Sequence, residues 1–289
     1  MKVGMVGLGR MGGNMAERLR RSGHDVVGYT RSGKGADVAS LEELVAALEP
    51  PRVVWSMVPS GEPTEEVVLE LGSLLEKGDV LVEGGNSNYR DSIRRGEELA
   101  ERGVGFIDAG VSGGIWGLDN GYCLMVGGDA THVELVRPAF DALAPPDGFV
   151  HAGPLGAGHF TKMVHNGIEY GLMESFAEGY ELLKSCELDI DVAGAFAAWR
   201  YGSVVRSWLL ELLVGELEED PGLERLSGYA EDSGEGRWTV QEAVRLGVPA
   251  PAISAALYAR FASRQDDSPA MKVIAALRNA FGGHEVKKK

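Results

Sequence analysis

Val3-Gly4-Met5-Val6-Gly7-Leu8-Gly9-Arg10-Met11-Gly12 is the stretch on which the fold turns. Val3 to Val6 has strand character. Gly7-Leu8-Gly9-Arg10-Met11-Gly12 follows it directly as G-x-G-x-x-G, at the start of a helix predicted over Gly12 to Ser22. Glycines at these places allow a tight turn and a close backbone approach, and the helix N-terminus receives a pyrophosphate. The alternative is a glycine-rich turn that carries no nucleotide. The strand before and the helix after weigh against it. Gly7, Leu8, Gly9, Arg10, Met11 and Gly12 are therefore the candidate cofactor-binding loop.

The same alternation continues outward. Strands are predicted at Asp25 to Tyr29, Arg52 to Met57, Asp79 to Glu83, Gly105 to Asp108, Tyr122 to Val126 and Phe149 to His151. Helices are predicted at Ser40 to Leu48, Thr64 to Leu75 and Tyr89 to Arg102. This pattern predicts an α/β domain with a doubly wound parallel sheet of Rossmann type. After Gly153-Pro154-Leu155-Gly156 the apolar residues recur at helical spacing. Helices are expected over Ala157 to Ser185, Ile190 to Glu218, Thr239 to Leu246, Ala250 to Ser263 and Met271 to Phe281. The expected organisation is a dinucleotide-binding domain, residues 1–155, followed by an all-α substrate and dimerisation domain, residues 156–289.

Bulk properties narrow the function classes. The 289 residues are 44% hydrophobic and 25% charged, the balance of a globular protein. No apolar run approaches the roughly 20 residues that span a bilayer, and the N-terminus lacks signal-peptide character. The two cysteines, Cys123 and Cys186, stand in no metal or redox spacing and suit a reducing, cytoplasmic location. A formal charge of -15 repels nucleic acid and anionic membrane, so neither is an expected partner. Basic residues close to motifs gain weight against that background. No metal site is expected, because no His, Cys, Asp or Glu cluster has ligand spacing.

The end of the second strand bears on the choice of nicotinamide cofactor. An NAD site usually places an acid there for the ribose hydroxyl. This chain has Thr30-Arg31-Ser32-Gly33-Lys34 instead. A guanidinium beside hydroxyls suits a 2′-phosphate, which favours NADP and leaves NAD possible. An exposed loop arginine is the alternative for Arg31. Met57 and Val58 follow the third strand, where such sheets pass the nicotinamide half of the cofactor.

Gly156-Ala157-Gly158-His159-Phe160-Thr161-Lys162-Met163-Val164-His165-Asn166-Gly167-Ile168-Glu169-Tyr170 carries the chemistry. On a helix, Lys162, His165, Asn166 and Glu169 fall at i, i+3, i+4 and i+7, on one face within two turns. A base, an imidazole, an amide and a carboxylate make poor core material. A surface ion pair remains the alternative.

This segment resembles the catalytic helix of the 6-phosphogluconate dehydrogenases. Glu83-Gly84-Gly85-Asn86-Ser87, Gly110-Val111-Ser112-Gly113-Gly114, Gly236-Arg237-Trp238-Thr239 and the tail Arg278 to His284 are similar to that family's segments, in the same order. The resemblance implies NADP-dependent oxidative decarboxylation of 6-phospho-D-gluconate to D-ribulose 5-phosphate, in the pentose phosphate pathway and gluconate utilization. It implies Lys162 as general base and Glu169 as general acid. Asn86, Ser112, Gly113, Gly114, His165 and Asn166 would orient the sugar acid, with Asn86 also beside the cofactor. Tyr170, Arg260, Arg278 and His284 would hold its phosphate. It further implies a homodimer or homotetramer, since the family's tail reaches a neighbouring subunit.

Two departures stand out. The helical part is roughly half as long as in long family members, which makes this a short form. Ser233 and Glu235 stand where long members carry lysine and threonine, with Arg264 or Lys272 as expected substitutes. The rival resemblance is to the β-hydroxyacid dehydrogenases, which share the glycine motif, the lysine and the asparagine. The run from His165 to Tyr170 and the Arg-plus-His tail argue against it. A non-catalytic NADP-binding protein would be expected to lack Lys162 or Glu169.

Overall fold

A computed structural model of the chain describes residues 1–282 and 285–287. It divides into two compact units, Met1–Asn166 and Gly167–Lys289. The first alternates β1 (Lys2–Val6), α1 (Arg10–Arg21), β2 (Asp25–Tyr29), α2 (Leu41–Ala46), β3 (Val53–Ser56), α3 (Glu62–Leu74), β4 (Val80–Glu83), α4 (Tyr89–Ala100) and β5 (Gly105–Ser112). A short α5 (Gly117–Asn120), β6 (Cys123–Gly128), α6 (Ala130–Leu143) and β7 (Phe149–Gly153) complete the sheet.

The seven strands lie in the order β2-β1-β3-β4-β5-β6-β7. Strand order reverses beside β1, and that is where open α/β sheets bind ligands, outside the carboxyl ends of the strands. The central strands are buried on both sides, so their alternate residues feed two cores. Val3, Met5, Val53, Trp55, Val80 and Val82 pack with Met15 and Leu19 of α1 and Phe140 of α6. Val6, Val54 and Leu81 pack with Leu44 of α2, Leu71 of α3 and Leu99 of α4. This is the doubly wound arrangement.

The last strands add a detail that alternation does not carry. β6 runs antiparallel to β5, and β7 runs parallel to β6. Only Gly113 to Tyr122 joins β5 to β6, too short for a crossover that would return the chain in the same direction. Helix α6, which contains Pro138, has no counterpart in the sequence expectation.

Helix α7 (Ala157–Ser185) ends the first unit and opens the second. The second unit adds α8 (Val192–Trp199), α9 (Trp208–Glu219), α10 (Glu235–Leu246), α11 (Pro251–Ala262) and α12 (Pro269–Gly282). Its cores are Phe196, Leu210, Val214 and Leu217 with Phe176, and Tyr170, Ala256 and Leu257 with Val240. The single helix expected from Ile190 to Glu218 is two. Gly202 at φ 72 breaks the period, and Ser207 restarts it by accepting the N–H of Leu210.

Candidate active site

The glycine loop and the ends of β1 to β4 enclose a cavity of about 830 Å³ in the first unit. Gly7, Gly9, Arg10, Met11 and Gly12 line it, as do Thr30, Arg31, Met57, Val58 and Asn86. Gly7 sits at φ 90, and a Cβ on Gly12 would collide with the Gly7 carbonyl. The backbone cradle therefore exists only with glycine at both places. Helix α1 has neither a side-chain cap nor an acid in its first turn. Its N–H groups remain suited to a pyrophosphate, so the site fits a dinucleotide.

Two of the residues expected at the cofactor, Leu8 and Ser32, are not among those that line the cavity. Leu8 packs on the core of the first unit, and the Ser32 hydroxyl accepts a hydrogen bond from the Lys34 N–H at 3.4 Å. Asn86, at φ 54, spends its side chain on β5. It donates to the Val111 carbonyl at 3.1 Å and accepts from the Val111 N–H at 2.9 Å. The amide thereby ties the β4 loop to the strand that carries Ser112. Sequence reasoning missed Glu66 and Glu70 of α3, which also line the cavity. Arg31 donates to Glu66 at 2.8 Å.

Alternate residues of β5 seat successive turns of α7. Asp108 accepts the N–H groups of Gly156 and His159, each at 2.7 Å, and so caps the helix from a neighbouring strand. Gly110 lies against the Lys162 stem, with no room for a Cβ between them. The Ser112 hydroxyl meets His165 Nε2 at 3.5 Å. Beyond this ladder, His159 is buried and bonded through Nδ1 to Ser92 at 2.8 Å.

Lys162 is 5% exposed and donates from Nζ to Asn166 Oδ1 at 2.5 Å. His165 Nδ1 lies 3.0 Å from the same oxygen. Oδ1 only accepts, so Nδ1 is the donor in this contact. The lysine and the histidine thus converge on the asparagine's oxygen, with the hydroxyl beside them. Gly113 and Gly114 turn away from β5 at φ 137 and 53.

In the sequence Asp108 reads only as the end of a strand, with no role assigned to it. A lone carboxylate amid Phe106, Ile107, Ala109 and Val111 is the signal that could have found it. Burial pushes its carboxyl up to about 6, partly offset by His159 and by the two N–H donors. The folded state then holds this proton more tightly than the unfolded chain does. The associated stability is complete below about pH 4 and is lost as pH rises through about 6. Urea unfolding of wild type and Asp108→Asn should show their difference drifting against wild type between pH 4 and 6.5. A pH-independent difference would remove the titration from this window.

In the second unit, Glu169 is half-buried and Tyr170 buried. The Tyr170 hydroxyl accepts the Ser233 N–H at 3.0 Å, and the Arg260 guanidinium lies 3.5 Å from the ring centroid. Two sequence-assigned residues, Tyr170 and Arg260, therefore come together. Arg278 is exposed on α12 and forms no hydrogen bond or ion pair among the described residues. His284 lies outside the described residues. The substitutes expected for the long-form lysine are engaged elsewhere. Arg264 is paired with Asp232 at 2.9 Å, and Lys272 with Asp267 at 2.6 Å. Arg237 forks onto the same Asp232, and these two arginines hold its carboxyl down at about 2.

Among the described residues there is no group of three or more His, Cys, Asp or Glu that could hold a metal, and no helix long and apolar enough to cross a membrane.

A glycine-cradled cavity at the switch point of a doubly wound sheet, followed by a lysine-bearing helix, defines a nicotinamide-nucleotide oxidoreductase. Comparison with known proteins gives the family. Residues 2–153 match the NAD-binding domain of 6-phosphogluconate dehydrogenase, and residues 158–278 match that enzyme's C-terminal domain. The chain belongs to the 6-phosphogluconate dehydrogenase family. YqeC of Bacillus subtilis, named provisionally as such an enzyme, is 42% identical over the full length of both chains. A Haloferax volcanii protein named as NAD(+)-dependent, decarboxylating 6-phosphogluconate dehydrogenase is 40% identical, covering 100% of this chain and 99% of that one. The Plasmodium falciparum 6-phosphogluconate dehydrogenase, whose structures include complexes with NADP+ and with 6-phosphogluconate, superposes with a TM-score of 0.82 at 28% identity. The match covers 100% of this chain and 66% of that one.

Proposed function

We propose that the chain oxidatively decarboxylates 6-phospho-D-gluconate to D-ribulose 5-phosphate and carbon dioxide, in the cytoplasm, preferring NADP and accepting NAD. The observation that carries this reading is the buried Lys162 ammonium bonded to Asn166, within a chain of this family. Bound nicotinamide would supply the hydride acceptor, with the pyrophosphate on Gly7 to Gly12. Lys162, once its amine is neutral, takes the proton of the substrate's 3-hydroxyl. It then returns that proton to the 3-keto oxygen as carbon dioxide leaves. Glu169 protonates carbon 1 of the resulting enediol while the neutral Lys162 amine takes back the enol proton, leaving the ketone. His165, Asn166, Ser112, Gly113 and Gly114 orient the acid and hydroxyl groups. Tyr170 and Arg260 hold the distal phosphate, with Arg278 and His284 added from a neighbouring copy.

The NADP preference rests on Arg31 and on the absence of an acid at Thr30. The name of the Haloferax relative pulls towards NAD. We place the functional boundary after residue 155, inside the gap between the two family matches. A homodimer or homotetramer is supported by the exposed apolar residues Met271, Val273, Ile274 and Leu277 of α12. One observation favours a second reading, oxidation of an unphosphorylated 3-hydroxyacid. Ser233 and Glu235 bond to each other at 3.3 Å beside Tyr170, where a phosphate would meet a carboxylate.

The test is an initial-rate assay of 6-phosphogluconate with NADP and with NAD, following reduced cofactor and released carbon dioxide together. Equal yields, faster with NADP, are expected. Reduction without carbon dioxide, or turnover only with a short 3-hydroxyacid, would overturn the decarboxylase in favour of the second reading.

A further inference from the structure

We infer that Glu66 is a specificity-determining residue that opposes Arg31, disfavouring the 2′-phosphorylated nucleotide and supplying the acceptor a ribose 2′-hydroxyl would want. The inference rests on the proposed reading that Arg31 faces the 2′ position. Both side chains line the one cavity, and Arg31 Nη2 donates to Glu66 Oε2 at 2.8 Å. They are held only by the surface: Arg31 is 77% and Glu66 55% exposed. Glu70, one turn further along α3, lines the same cavity and adds a second negative charge.

The chemistry of the corner follows. An NAD site ordinarily takes its acid from the end of the second strand, where this chain has Thr30. Glu66 brings a carboxylate to the guanidinium there from α3. A 2′-hydroxyl can donate to that carboxylate while Arg31 keeps its partner. A 2′-phosphate, carrying nearly two negative charges, can only accept. It must draw Arg31 away from Glu66 and then sit beside a carboxylate within a chain of formal charge -15. Both effects weaken NADP, and neither weakens NAD. An exposed pair of this kind contributes modestly, so the expected change is about two- to fivefold rather than a complete switch.

The experiment is calorimetric titration of the full chain, without sugar acid, with NADP+, NAD+ and 2′,5′-ADP. Wild type, Glu66→Gln, Arg31→Ala, the double variant and a Glu70→Gln control would be compared. Glu66→Gln should tighten NADP+ and 2′,5′-ADP about two- to fivefold and leave NAD+ unchanged or weaker. The gain should vanish in the Arg31→Ala background, and Glu70→Gln should give less than half of it. An unchanged NADP+/NAD+ ratio in Glu66→Gln, with Arg31→Ala still losing NADP+, would overturn the inference and leave the cofactor reading standing. Equal gains from Glu66→Gln with and without Arg31, or from Glu70→Gln, would also overturn it. If Arg31→Ala binds NADP+ as wild type does, the cofactor reading itself falls.

Discussion

Lys162→Ala should lose turnover by about 10²–10⁴-fold or more in kcat, because the same amine is asked to act first as base and then as acid. Its nucleotide affinity should hardly change, since Lys162 is not among the residues that line the nucleotide cavity. The side chain is buried at the foot of Gly110, and its amine is bonded to Asn166. Removal takes the amine donor from Asn166 Oδ1 and leaves the His165 Nδ1 contact in place. Lys162→Arg should be nearly as inactive, because a guanidinium does not give up its proton in this range. Stopped-flow reduction of the cofactor and calorimetric nucleotide binding, measured on the same preparation, separate the two effects. Substantial cofactor reduction by Lys162→Ala would sink the base assignment, whatever happened to carbon dioxide release.

Gly110→Ala is the second substitution expected to have a large effect, and it touches no ligand in the proposal. A Cβ at this position would meet the Lys162 Cβ far inside van der Waals contact and lie 2.9 Å from the Gly158 carbonyl. Neither neighbour is the far end of a flexible chain. One is the root of a side chain and the other is backbone, so β5 and α7 must separate. Overpacking of this kind typically lowers stability by about 1–3 kcal/mol. Moving the lysine by about an ångström can lower kcat on the order of 10²-fold. Nucleotide affinity should be retained. A variant with lowered thermal stability but wild-type kcat would show that the contact is structural and does not position Lys162.

Much of the first unit was readable from local pattern. Val3 to Gly12 joins a period-two run to three glycines and a helix, and each part constrains only its own neighbours along the chain. The same holds for α7, whose limits coincide with the predicted Ala157 to Ser185. Lys162, His165 and Asn166 share a face because the helical period puts them there, and the structure brings the amine and the imidazole to the Asn166 oxygen. Other features depended on contacts that no local pattern encodes. The helix from Ile190 was extended too far because Gly202 and Ser207 do not interrupt an apolar tally. Arg264 and Lys272 pair with Asp232 and Asp267, and nothing in their spacing along the chain encodes either pairing.

The sequence by itself determined the glycine cradle, the alternation that builds the sheet, the helical second half and the order of polar residues along α7. All of these arise from φ freedom and side-chain period over a few residues. Only the tertiary structure decided what surrounds them. Asp108 reaches the start of α7 across 51 residues, and Glu66 reaches Arg31 across 35. The amide of Asn86 ties itself to β5 across 25. Such pairings follow from strand register and helix docking, which many distant apolar residues settle together, and a polar residue's own neighbours in the chain say nothing of which partner it will meet.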